Sequence, residues 1–185
     1  MAENEGAVRP NRRQRTTFDA FCETHEKAWT GIARARLCDD VLAQDVVGKM
    51  KNRLWTQWSW LIRQRVPAFN AWAMVKEEIG AALVVQLLEA EHQPEPVPAW
   101  VEEVRRALEQ VRADVQGDSV HQELYAAIKG LSERRHDVVL LRFFLDLPDS
   151  LIAEYLDTTE ANVRSTTSQA LDRLSATLHG KRGQR

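Results

Sequence analysis

Cysteine is nearly absent from this 185-residue chain: Cys22 and Cys38 are the only two. That excludes a disulfide scaffold and fits a reducing cytoplasm. Glycine (8) and proline (6) are too scarce for a fibrous or low-complexity protein. No apolar run approaches the roughly 20 residues that span a bilayer, and no signal-peptide pattern opens the sequence, so no membrane partner is expected. A surplus of positive charge is missing too. Lys and Arg number 25 against 27 Asp and Glu, a net charge of −2, whereas a nucleic-acid module usually carries a basic excess. Residues 16–90 hold nine basic and nine acidic side chains, and residues 119–180 hold six against nine. The concentrated positive charge sits at the two ends, at Arg9, Arg12, Arg13 and Arg15, and at Lys181, Arg182 and Arg185. Tight binding to a nucleic acid would therefore need a partner that brings its own affinity.

Enzyme constellations are lacking as well. There is no glycine-rich phosphate loop, no nucleophile elbow and no His-Glu pair at zincin spacing, so neither catalysis nor a cofactor is expected. Cys22 and His25 have a zinc-ligand spacing, and Cys38 follows, but a closed site wants four ligands and no fourth is apparent. Cys22 and His25 share the apolar face of the first helix, so core packing is expected and no metal.

What is present is helical periodicity, with no defensible strand alternation and no internal repeat. The apolar fraction, 44%, is that of a folded globular protein. Met1 to Arg15 is polar and unpatterned and is expected to be a disordered tail. Phe18, Phe21, Cys22, His25, Trp29, Ile32 and Ala33 follow the three-four spacing of an amphipathic helix ending near Leu37. Asp39 or Asp40 caps a second, with Leu42, Val46, Met50, Leu54, Trp58 and Leu61 or Ile62 inward. Pro67 opens a third, which presents Phe69, Trp72, Val75, Ile79, Leu83 and Leu87. Three prolines in His92–Pro98 break the pattern and mark a domain boundary. Trp100 to Val115 forms another helix, with Val101, Val104, Leu108, Val111 and Val115 in a row, ended by Gln116-Gly117-Asp118. Helices over Val120–Leu131 and Ser132–Leu145 follow.

The best-patterned segment is the last third, Leu131 to Leu178. Leu151, Ile152, Tyr155 and Leu156 fall on one side of a two-turn helix. Val163, Ala170, Leu171, Leu174 and Leu178 fall on one side of a longer one. Asp157-Thr158 forms the break, and Thr159 is placed to cap the second helix with its hydroxyl. This is the layout of a helix-turn-helix whose last helix lies in a DNA groove.

At these residues the chain resembles a small bacterial RNA polymerase sigma factor of the extracytoplasmic-function group. Leu131–Phe144 through Ala170–Leu174 looks like region four, which in that family reads the minus-35 element and sits on the flap of the polymerase β subunit. Ala43-Gln44-Asp45-Val46-Val47-Gly48, then Leu54-Trp55, then Phe69-Asn70-Ala71-Trp72, stand where region two has Ala-Glu-Asp-Val-Val-Gln, Leu-Trp and Phe-Arg-Ala-Trp. Region two grips the polymerase clamp and opens the minus-10 element. The resemblance implies RNA polymerase core and promoter DNA as partners, with an anti-sigma factor as a candidate third. It places Asp45 with Lys49, Lys51 and Arg53 at the clamp, the expected contacts being Asp45 and Lys49.

Departures from the pattern are informative. The clamp-contacting glutamine is Gly48. After Trp72 the family continues with basic residues, whereas this chain has Glu77, Glu78 and an uncharged run, Ala81–Leu88, so region two is read as degenerate; carboxylates on a phosphate path repel DNA. On the last helix Arg164-Ser165 keeps the family's basic-Ser pair, but Thr166 and Gln169 stand where arginines are common. Asp157 replaces the turn glycine and tolerates the left-handed conformation. Opposite the apolar side of that helix lie Asn162, Arg164, Ser165, Ser168 and Gln169. With Thr159 these form the expected DNA-binding set: Arg164 can pair with phosphate or guanine, and Asn162 or Gln169 with adenine. Trp58 and Trp72 belong to apolar faces, while Trp55 and Trp60 are candidates to stack on unpaired bases.

The expectation is an all-α chain of two helical domains. Residues 1–15 form a tail, 16–91 a region-two-like bundle, 92–118 a linker with one helix, 119–180 a region-four-like helix-turn-helix domain, and 181–185 a basic tail. The expected function is transcription initiation in the bacterial cytoplasm through polymerase and promoter DNA. The alternative is a degenerate sigma-like regulator that acts through protein contacts. A third reading keeps only the C-terminal DNA binding, as a repressor or activator.

Overall fold

The computed structural model describes residues 12–89, 97–111 and 120–182. Every regular element among them is helical. In chain order these are α1 (Arg12–Leu37), α2 (Asp40–Thr56), α3 (Trp58–Leu61), α4 (Pro67–Glu89), α5 (Val101–Val111), α6 (Val120–Lys129), α7 (Glu133–Val139), a π-helical turn (Leu140–Phe144), α8 (Asp149–Tyr155) and α9 (Glu160–Arg182).

α1 begins inside the segment expected to be a tail. Residues 12–15 are helical because nothing in them breaks the helix, and Gln14 Nε2 reaches Ser59 Oγ at 3.2 Å. Residues 1–11 lie outside the described part of the chain. α1 ends in a left-handed residue, Cys38 (φ 54°), and Asp39 then caps α2 by accepting the Leu42 amide at 2.9 Å. The second helix is shorter than its apolar spacing predicts. Thr56 Oγ1 turns back onto the Arg53 carbonyl at 2.7 Å, Gln57 leaves helical dihedrals, and Trp58 and Leu61 sit on the separate turn α3. Of the two candidates, Leu61 is buried and Ile62 exposed.

α1, α2 and α4 enclose the N-terminal core through Trp29, Ile32, Met50, Leu54, Trp72 and Ile79. Each of these large side chains contributes about 1.5–3 kcal/mol by leaving water. Phe69, expected inward, is exposed at the first turn of α4. Leu124, Ile128, Val138–Leu141, Ile152, Val163, Ala170, Leu174 and Leu178 build the C-terminal core. α5 packs on α6 and on the π-turn, burying Val101, Val104 and Leu108, while Trp100 Nε1 donates to the Ala35 carbonyl of α1 at 3.2 Å. Residues 92–96 of the proline-rich break, Val115 and Gln116–Asp118 lie outside the described residues, while the Pro98 carbonyl accepts the Val101 amide at 3.1 Å at the start of α5. The first two residues of the expected basic tail, Lys181 and Arg182, continue α9, and residues 183–185 lie outside.

The π-turn closes with Leu145 N donating to Leu140 O at 3.0 Å, an i to i+5 bond. The extra residue re-aims the chain so that Leu140 and Leu141 stay buried while Leu145 lies against Gly31 of α1, where a Cβ would collide with its side chain. This is one of several contacts that join the two halves. α4 also packs on α8, where Trp72 and Tyr155 stack at 5.0 Å and 14°. His25 Nδ1 and the Tyr155 hydroxyl share a buried hydrogen bond of 2.8 Å. Asp137, 2% exposed, accepts from Lys76 Nζ at 3.0 Å and from Trp72 Nε1 at 3.5 Å. The helix-turn-helix is thus seated on α1 and α4 through Tyr155, Asp137 and Leu145.

Candidate nucleic-acid interface

The turn between α8 and α9 follows from three residues. Thr158 N bonds the Ala153 carbonyl at 2.9 Å and Asp157 N the Glu154 carbonyl at 3.3 Å. Asp157 takes the left-handed conformation (φ 45°) expected of it. Thr159 then caps α9: its Oγ1 accepts the Asn162 amide at 3.2 Å, and its carbonyl accepts the Val163 amide at 3.0 Å. Arg65, from the loop before α4, pairs with the Asp157 carboxylate. Val163, Ala170, Leu171, Leu174 and Leu178 are buried, as their spacing predicts, and this sets which side of α9 meets solvent.

That solvent side holds all six expected DNA-binding residues, Thr159, Asn162, Arg164, Ser165, Ser168 and Gln169, every one exposed. Their polar atoms are partly engaged with one another and with neighbours. Asn162 Nδ2 donates to Thr158 Oγ1 at 3.2 Å, and Gln169 Nε2 to Ser165 Oγ at 3.4 Å. Arg135 of α7 donates to Gln169 Oε1 at 3.3 Å. Arg164 reaches two carboxylates, Asp149 of α8 at 3.3 Å and Glu160 one turn back at 3.5 Å. Asp149 is paired in turn with Arg142 of the π-turn. Glu160 stands one turn before Arg164 on the same helix, a pairing the spacing shows, but periodicity carries no sign of Asp149, which lies on another helix. The arrangement offers amide, hydroxyl and guanidinium groups on one helical flank, the groups that bond base edges and phosphates.

The second expected site is also solvent-facing. Asp45 and Lys49 form an exposed i, i+4 pair at 2.7 Å on α2, and the Asp45 carboxylate raises the Lys49 ammonium pKa. Lys51 pairs with Glu26 at 2.8 Å. Gly48 is exposed, with open space where a Cβ would stand. Arg53 bonds Glu77 at 2.7 Å and Glu78 at 3.4 Å, so both acidic residues after Trp72 are tied to α2. Trp58 and Trp72 are buried, Trp55 is half-buried against Phe18, and Trp60 is 53% exposed. Cys22 and His25 pack in the core. Among the described residues no cluster of three His, Cys, Asp or Glu could hold a metal, and no helix is long and apolar enough to cross a membrane.

The titratable groups gathered beneath the helix-turn-helix leave no mark in the sequence pattern. Burial pushes the Asp137 carboxyl up, opposed by Lys76 and Trp72. Burial would lower Lys76, but bonds to Glu133 (2.6 Å) and Asp137 outweigh it and leave the ammonium raised. His136, 7% exposed, is pushed down to about 4 by burial and by Arg36, whose guanidinium lies 3.3 Å away. Burial lowers His25 as well. No spacing in the sequence joins residues so far apart.

No curated protein matches the chain. Residues 121–174 match the family model described as Sigma-70, region 4. The match begins on α6, takes in α7, α8 and the turn, and ends within α9: this segment is similar to the fourth region of sigma-70 factors.

Proposed function

We propose that the chain is a transcription initiation factor of the extracytoplasmic-function sigma type, one that binds RNA polymerase core and directs it to promoters. It acts by binding rather than by catalysis. The observation that carries the reading is the six-residue polar flank of α9, set by the Thr159 cap and Asp157 turn within a segment similar to region 4. Labour is divided. Polymerase, gripped through a surface that includes Asp45 and Lys49, supplies most of the affinity, which a chain of net charge −2 lacks. α9 supplies sequence choice through a few base-edge contacts.

One observation favours a second reading, a sigma-like regulator working through protein contacts, such as an anti-sigma factor, with a degenerate region two. Glu77 and Glu78 are bound to Arg53, and the α4 surface beyond them exposes Val84, Val85 and Leu88 with no cation nearby in sequence. Pull-down on polymerase core, combined with footprinting on genomic promoter fragments, separates the two. Core binding with a footprint supports the initiation factor, and neither supports the regulator. A footprint without core binding reduces the role to a DNA-binding repressor or activator.

A further inference from the structure

From Glu160 to Ala170, Arg164 is the one basic residue on α9. Its guanidinium is bracketed by Asp149 Oδ2 at 3.3 Å and Glu160 Oε2 at 3.5 Å. Asp149 is itself held: its side chain is 15% exposed, and its other oxygen takes Arg142. The result is an alternating chain, Arg142, Asp149, Arg164, Glu160, that crosses from the π-turn over α8 to the first turn of α9. Asp149 is therefore a carboxylate held on the edge of the interface, while Arg164, 58% exposed, is the partner open to solvent.

A phosphate approaching this flank meets two carboxylates before it can claim the cation, and that repulsion is the same for every sequence. A base edge makes a different exchange, because a bidentate bond to guanine replaces the carboxylate contacts with good geometry while Asn162, Ser165 and Gln169 bond alongside. We propose that Asp149 and Glu160 are specificity-determining residues of the DNA interface: by holding Arg164 they suppress its use as a general phosphate anchor and reserve it for base reading. This rests on the reading of α9 as a DNA-binding helix. It also gives a reason for the acidic balance of the C-terminal half, where non-specific affinity is held low by carboxylates next to the reading groups.

The test uses the full chain with polymerase core and two probes: a mixed-sequence 30-base-pair duplex, and the best duplex selected from a random pool. Binding is followed by fluorescence anisotropy across a salt series for the wild type, Asp149→Asn, Glu160→Gln, Arg164→Ala and Asp149→Asn/Arg164→Ala. Asp149→Asn should tighten binding to the mixed duplex about three- to tenfold and steepen the slope of log K against log salt by about one, as expected for one added phosphate contact. Affinity for the selected duplex should change less, so the specificity ratio falls. Glu160→Gln should do the same more weakly without touching Arg142. In the Arg164→Ala background most of the gain should be lost, leaving only the relief of one carboxylate's repulsion. An unchanged slope and ratio in both single variants would overturn the proposal, as would a gain of undiminished size without Arg164. Loss of binding in step with loss of helicity would make Asp149 a purely structural partner of Arg142. Failure of the wild type to prefer any duplex would instead overturn the DNA reading of α9.

Discussion

His25 on α1 and Tyr155 on α8, separated by 130 positions in the chain, share a 2.8 Å hydrogen bond in a fully buried setting, with Tyr155 stacked on Trp72. The bond joins the N-terminal bundle to the first helix of the helix-turn-helix, and both partners are held neutral: burial lowers the imidazole pKa and raises that of the phenol. Its energetics follow from what is left behind on removal. Tyr155→Phe keeps the stack and strands one buried ring nitrogen, so it should cost about 1–3 kcal/mol in urea unfolding. Tyr155→Phe with His25→Leu should cost less than the sum of the two single changes, because no polar group is then left unpaired. Additive losses would show that the bond contributes nothing.

Acid should loosen the same junction. His136 ionises near pH 4 in the folded chain, below the roughly 6.5 of an unhindered imidazole. Between those values the unfolded chain binds a proton that the folded chain does not, so stability falls as pH drops from about 6.5 to about 4 and then levels. The contribution of His136 is at most about 3 kcal/mol, and His25 adds in the same direction. Chemical unfolding at pH 7, 6, 5 and 4 checks this, and His136→Gln should flatten the profile.

Lys76 and Asp137 form a second link between the halves, at 3.0 Å. Lys76→Met leaves the Asp137 carboxylate, 2% exposed, with the long bond from Trp72 Nε1 and the more distant charge of Arg36, and should destabilise by about 2–4 kcal/mol. Adding Asp137→Asn should recover a large part of that loss. Differential scanning calorimetry of the single and double variants reads the difference.

At the turn, Thr159→Ala removes the hydroxyl that accepts the Asn162 amide and should cost about 1 kcal/mol, with Thr159→Ser close to neutral. Asp157→Val, at φ 45°, should cost about 1–2 kcal/mol, whereas Asp157→Gly should be tolerated. Thermal unfolding followed by circular dichroism measures each.

Promoter-directed transcription should depend on Arg164. Arg164→Ala should abolish specific run-off product in a reconstituted assay while polymerase binding, measured by pull-down, is unchanged. The side chain is 58% exposed and its loss leaves the α9 core intact.

Much of this was legible from periodicity and end chemistry. Asp39 and Thr159 cap where acceptor side chains precede apolar stripes, Asp157 turns left-handed, and the inward faces of α2 and α9 are those their spacing gives. Local backbone competition was less visible. The break at Gln57 and the π-turn at Leu140–Phe144 interrupt stripes that read as continuous. Least visible were the contacts between halves, because a pairing such as His25 with Tyr155 leaves no period in either helix. The solvent flank of α9 could be read from its apolar complement, and Glu160 from its i,i+4 spacing to Arg164, but the Asp149 carboxylate could not, since it reaches Arg164 from α8.

The most direct test of the account is selection from a random duplex pool by the full chain bound to RNA polymerase core. An enriched motif should be recovered from wild type and lost, position by position, when Asn162, Arg164 or Gln169 is replaced by Ala. A pool that stays random, or a motif indifferent to all three replacements, would contradict it.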